Sequence, residues 1–259
     1  FKRALCVIFL LLALPTQAVI TQVGDDFDGG GSGFHNGSSV ALSEDGQTLA
    51  IGAARDDSLG LSGPGRSGSM GAVRVYRRSG NNWSNLGEVF YGAGLGRFLG
   101  HEVTLSGTGE TVAISGVTSY TNNKLSNGFV RVFQWSGQSW GQLGQLIAGT
   151  TTAERVGQST ALSSDGTILA VGVPRSGTSN PGLTRVYNLI GGQWVQLGND
   201  ISGVHQRDEF GFSVALSATG NILVIGSPEH NSDGYGAGGL AGGEVKVFTL
   251  NNGNWQQMG

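Results

Sequence analysis

The chain has 259 residues, a formal net charge of −3, one cysteine and 47 glycines, with hydrophobic residues at 38% and charged residues at 13%. Weak acidity excludes the clustered basic footprint of a nucleic-acid binder, and a lone Cys6 excludes a disulfide framework. The glycines carry no Gly-X-Y period and come with only 5 prolines, so the chain is neither collagen-like nor a linker.

Residues 1–18 read as a secretory signal peptide: Lys2 and Arg3 form a basic start, Leu5 to Leu14 an apolar run, and Thr16-Gln17-Ala18 ends on a small residue. The apolar run is too short for a bilayer-spanning helix, which needs roughly 20 residues. On this reading the exported chain starts near Val19, has lost Cys6, and is secreted and extracellular. Residues 19–259 then form one domain.

Gln22-Val23-Gly24-Asp25-Asp26-Phe27-Asp28-Gly29 comes next and has the acidity of a cation loop. It aligns without gaps on Gln196-Leu197-Gly198-Asn199-Asp200-Ile201-Ser202-Gly203, so it reads as an outer-strand segment instead. The strand Ser39-Val40-Ala41-Leu42-Ser43 follows, with Val40 and Leu42 on one face by period-2 alternation. Asp45-Gly46 is hairpin chemistry, and Thr48 to Ile51 is the returning strand. After a glycine-rich loop come the strand Val73-Arg74-Val75-Tyr76, a short polar hairpin, and a fourth strand opened by Trp83.

This series recurs three times. Leu42 is matched by Leu105, Leu162 and Leu216, at steps of 63, 57 and 54 residues. The third strand returns at Val130 to Phe133, Thr184 to Tyr187 and Val245 to Phe248, and the tryptophan returns at Trp140, Trp194 and Trp255. Four short strands per repeat with no helical period describe one blade of an all-β propeller. A parallel β-solenoid would repeat at about 20–30 residues, and WD40 blades at about 40–45. Since Gln257-Met258-Gly259 matches Gln22-Val23-Gly24, the chain stops at the point of the blade where it starts. Two arrangements follow: a four-blade ring completed by its N-terminal segment, or part of a larger propeller. The second is preferred, because four is the crowded lower limit of the architecture.

The pattern Phe210-Gly211-Phe212-Ser213-Val214-Ala215-Leu216-Ser217, then Ile225-Gly226-Ser227-Pro228, then Gly243-Glu244-Val245-Lys246-Val247-Phe248 resembles an FG-GAP repeat, the blade unit of integrin α-chain propellers. Gly172-Val173-Pro174 and Gly52-Ala53-Ala54 are looser versions. The resemblance implies extracellular adhesion or recognition of a protein or glycan, often with calcium in blade loops. For calcium, Glu229, Asn231 and Asp233 form the one loop near the spacing of oxygen ligands that the ion needs, and it lacks a closing carboxylate.

Catalytic motifs are sparse. Gly137-Gln138-Ser139-Trp140-Gly141 fits the G-x-S-x-G spacing but falls in a hairpin, not on the strand-turn-helix that makes such a serine a nucleophile. His35, His101, His205 and His230 share no repeat position and no metal-ligand spacing. The basic residue at Arg74, Arg131, Arg185 and Lys246 is either a ring on a ligand face or a set of stems snorkelling between sheets. The sequence therefore predicts a secreted, non-catalytic propeller for recognition or adhesion, with no nucleic acid and no membrane span. The alternatives are an extracellular hydrolase or lyase acting on polysaccharide or glycoprotein, and a structural matrix protein.

Overall fold

The structure is a computed structural model that describes residues 21–29, 31, 33–58, 70–92, 98–117, 127–151, 154–230 and 242–259; the leader reading lies outside them. Those residues hold nineteen strands in four antiparallel sheets. Blade 1 contains β1 (Asn36–Leu42), β2 (Thr48–Ala53), β3 (Ala72–Ser79), β4 (Asn82–Asn85) and β5 (Phe90–Tyr91). Blade 2 contains β6 (Leu99–Leu105), β7 (Thr111–Gly116), β8 (Phe129–Trp135), β9 (Trp140–Gln142) and β10 (Ile147–Ala148). Blade 3 contains β11 (Thr160–Leu162), β12 (Ile168–Val173), β13 (Leu183–Ile190), β14 (Gln193–Gln196) and β15 (Ile201–Ser202). Blade 4 contains β16 (Ser213–Leu216), β17 (Ile222–Ser227), β18 (Glu244–Asn251) and β19 (Asn254–Gln257). This is the blade-built β-propeller architecture that the repeat predicts.

The fourth strand of a blade is broken in two, which the sequence does not show. In blade 3, β14 and β15 both pair with β13, and the gap between them lies at Leu197-Gly198. The Trp255 indole of the next blade fills the gap, its Nε1 donating to the Leu197 carbonyl at 3.1 Å. Trp140 and Trp194 do the same to Leu86 and Leu143, at 2.7 and 2.9 Å. Trp83 donates to Val23 at 3.2 Å, and Phe27 packs on Tyr76 with centroids 4.6 Å apart, as Phe90 packs on Phe133. The segment 22–29 therefore sits against blade 1 where the outer strand of a preceding blade would sit.

The core lies between blades. One apolar cluster joins blades 1 and 2, a second blades 2 and 3, a third blades 3 and 4. The innermost strands step from β1 to β6 to β11 to β16. Their end turns are tied in series, Glu44 N–H to Gly107, Gly107 N–H to Ser164, and Ser164 N–H to Ala218. Gly100, at φ 86°, lets its carbonyl close on Gly52 of the neighbouring blade, where a Cβ would collide.

The outer faces of the end blades are uncovered. Val40 and Leu42 of β1 are 63% and 58% exposed, whereas their repeat-equivalents Val103 and Leu105 are 2% and 8% exposed. Val245 of β18 is 68% exposed, against 0% for its equivalents Val73 and Val130. Among the described residues, blade 4 has no counterpart of the short strand that β5, β10 and β15 add to the other sheets. No helix among the described residues is long and apolar enough to cross a membrane.

Candidate functional site

Each blade enters its innermost strand through the same turn. A residue in the left-handed region comes first: His35 (φ 54°), Phe98 (φ 44°), Arg155 (φ 58°) or Glu209 (φ 50°). Two places later stands a glycine at positive φ. The amide after that glycine then donates back to the first residue's carbonyl: Ser38 to His35, His101 to Phe98, Gln158 to Arg155 and Phe212 to Glu209, at 3.0–3.1 Å. A left-handed conformation costs an L-residue about 1–2 kcal/mol. Four repeated outliers of this kind concentrate where strain is retained for a purpose.

The side chains of these turns converge. His35, Ser38, Phe98, His101, Arg155, Gln158 and Phe212 line one cavity of about 520 Å3 at the mouth of the blade array, together with Ala54, Arg55 and Val117 from the ends of the second strands. That volume suits a small-molecule ligand. Arg55 is held by its own amide, which donates to the Phe34 carbonyl at 3.2 Å, and Arg175 in blade 3 is held likewise by Glu154.

The mouth is cationic and partly desolvated. Burial, then repulsion from Arg175, lowers the Arg155 pKa, and Glu209 opposes the shift. Glu209 itself pairs with Arg175 at 3.3 Å. Burial, then the Arg155 charge, holds the His101 imidazole below its ordinary value of 6.5, although a side-chain hydrogen bond with Gln158 pulls the other way. His101 is thus a neutral base near neutral pH, beside cations that lack a full complement of carboxylates.

A second cluster lies in blade 4. Asp208, 2% exposed, accepts the Val204 and His205 amides on Oδ2, while the His230 Nδ1 lies 3.1 Å from its Oδ1. Ligand atoms of His205, Asp208 and His230 all lie within 4.8 Å of one another, and the three form a group that can hold a metal ion.

The four histidines thus sort into two sites that their spacing does not reveal. His35 and His101 face the mouth, and His205 and His230 flank Asp208. The signal available for the first pair is the repeat alignment, which puts His35 at the Arg155 position and His101 at the Gln158 position. The predicted calcium loop is a different matter. Glu229 is an exposed turn residue, Asn231 and Asp233 fall outside the described residues, and nothing in the structure favours calcium. Three of the four recurrent basic residues are held in ion pairs, Arg74 with Asp56, Arg185 with Asp200 and Lys246 with Glu244, whereas the Arg131 Nε is buried with no hydrogen-bond partner among the described residues. Ser139 lies in the β8–β9 hairpin, its amide turned onto the Ser136 hydroxyl at 3.1 Å.

No family model matches the chain, and no curated protein does. Solved structures do match. The periplasmic gluconolactonase PpgL of Pseudomonas aeruginosa aligns with a TM-score of 0.56 at 15% identity, over 86% of this chain and 56% of its own. A Bacteroides uniformis protein described as a 6-phosphogluconolactonase aligns at 0.52 and 16% identity, over 85% and 52%. Hydrazine synthase of Kuenenia stuttgartiensis aligns at 0.51 and 14%, over 85% and 52%. The chain thus spans about half the length of these structures, and likeness at such identity establishes the fold alone.

Two expectations are corrected by these findings. The FG-GAP resemblance does not stand, since no such family matches and the structural neighbours include proteins described as lactonases. Its physical source is the mouth turn: the Phe210-Gly211 pair packs Phe210 at 1% exposure and puts Gly211 at φ 88°, which any blade built on this turn needs. The non-catalytic adhesion scaffold is overturned with it, because propellers of this fold include ones described as lactonases and the mouth holds a neutral base beside cations.

Proposed function

We propose that the mouth is the active site of an extracytoplasmic hydrolase that opens an anionic, sugar-derived ester, a lactone in the first instance. The observation that carries this reading is the pairing of His101, kept neutral by burial, with Arg155, a partly desolvated cation that faces the same cavity with Arg55. Lactonase descriptions among the structural neighbours, one of them for a periplasmic protein, support the substrate class and the compartment. The leader-like residues 1–18 agree with export.

In the reaction, Arg155 holds the carboxylate or phosphate of the substrate, and Arg55 polarises the acyl oxygen. His101 takes a proton from water, and Gln158 fixes the imidazole through its side-chain hydrogen bond. The resulting hydroxide adds to the acyl carbon and the ring C–O bond breaks. The released alkoxide takes the proton back from His101, and the new carboxylic acid then loses its own proton to solvent, which leaves a hydroxy carboxylate. Phe98, Phe212 and Val117 supply the apolar wall.

Lactone opening followed by proton release in weakly buffered solution tests this. The chain is expected to hydrolyse a phosphorylated aldonolactone well above the buffer blank and to prefer it to the neutral lactone. His101→Ala should lower kcat by about 10²–10⁴-fold, the usual contribution of a positioned base. Hydrolysis no faster than the blank, or a His101→Ala variant with full kcat, would contradict the assignment.

A further inference from the structure

The structure assigns a zinc-type divalent cation site to His205, Asp208 and His230, separate from the mouth and independent of the lactonase reading. The three residues come from two segments of blade 4: His205 and Asp208 precede its innermost strand β16, and His230 follows β17.

The inter-ligand distances point to an ion and not to a hydrogen-bonded cluster alone. The Nδ1 atom of His205 is buried and has no hydrogen-bond partner, an unmet polar group of the kind folded proteins seldom tolerate. It lies 3.7 Å from Asp208 Oδ2, too far for a hydrogen bond. Ligands bound at 2.0–2.2 Å in a tetrahedral site are separated by roughly 3.3–3.6 Å. His205 Nδ1 lies 3.7 Å from Asp208 Oδ2 and His230 Nδ1 3.1 Å from Oδ1, near that separation with one imidazole facing each carboxylate oxygen, and the ligand atoms of all three residues lie within 4.8 Å of one another. A small inward shift of the rings turns the cluster into a coordination sphere.

Charge and support agree with this. Asp208 is buried at 2% exposure, and among the described residues no lysine or arginine pairs with it. A buried carboxylate without such a partner is costly, and a bound cation removes that cost. The amides of Val204 and His205 fix the carboxylate from behind, as supporting hydrogen bonds do in metal sites. Glu244 Oε2 lies 3.6 Å from His230 Nδ1 but is paired with Lys246 at 3.1 Å, so it leaves the fourth position of the sphere open. Two imidazoles and a carboxylate with an open position suit zinc and its neighbours, whereas calcium takes six to eight oxygens.

The test is calorimetric titration of the chelator-treated chain with zinc chloride, with calcium chloride in parallel, and cobalt absorption as a second readout. One zinc per chain is expected, with no calcium heat. His205→Ala and His230→Ala should each weaken zinc binding at least about 100-fold, and His35→Ala should leave it unchanged. Zinc should also raise the thermal midpoint of the parent chain but not of His205→Ala, whose partly exposed ring makes it the safer variant if His230→Ala does not fold. No zinc bound, or zinc binding that survives both substitutions, would overturn the site.

Discussion

The four mouth turns each hold a non-glycine residue at positive φ, and they make a residue-scale prediction. Replacing His35 (φ 54°) by glycine relieves a left-handed backbone, partly offset by the added freedom of the unfolded chain. The variant should gain about 0.5–1 kcal/mol, read as a higher midpoint in urea unfolding. His101 sets the pH dependence. Its folded pKa lies below the ordinary 6.5, so the unfolded chain binds the proton first as pH falls. Its stabilising contribution is complete above about 6.5 and declines below that value. The kcat/KM profile, which reports the free enzyme, should rise with pH through a midpoint under 6.5, with Arg55, Arg155 and His35 the other charged or titratable groups lining the cavity. A midpoint above 6.5 would contradict the neutral-base assignment. Asp56 acts in the same direction at lower pH. Burial raises its pKa, but hydrogen bonds from Ser58 and Arg74 outweigh it, so the carboxyl sits below its ordinary 3.8. The stability from its ion pair with Arg74 is present above 3.8 and is lost as pH falls through the folded value.

At the scale of the element, the unit is a strand gap filled by the next blade's tryptophan. Trp194 is 2% exposed, donates to Leu143 and is clamped through its backbone by Gln145 in both directions. Trp194→Ala should cost about 3–5 kcal/mol. The repeat also offers an internal control. Leu105→Ala, at an 8% exposed position, should cost about 2–4 kcal/mol, whereas Leu42→Ala, at 58%, should fall within about 0.5 kcal/mol. Denaturant unfolding of the two variants side by side checks this, and equal losses would mean that Leu42 is covered in solution.

For the whole molecule, the blades were legible in the sequence because turns and core alternation recur at fixed offsets: Asp45-Gly46 beside Asp165-Gly166, Val73 beside Val130. The mouth was not legible for the complementary reason. Its side chains differ from blade to blade, with His35, Phe98, Arg155 and Glu209 at one equivalent position, so repetition marks the backbone turn and hides the chemistry. The Phe-Gly pattern that suggested an adhesion family belongs to that turn. The metal group was hidden differently, since His205 and His230 meet only when the entry to β16 closes on the end of β17.

The proposed function has the mouth recognise an anionic lactone through Arg155 and open it with His101. Its most direct test is kcat/KM for a phosphorylated and a neutral aldonolactone with the parent chain and Arg155→Met. A charge-assisted hydrogen bond contributes about 1.5–3 kcal/mol, so the phosphorylated substrate should lose roughly 10–150-fold while the neutral one changes little, erasing the preference. Equal losses on both substrates, or no loss on either, would contradict the account.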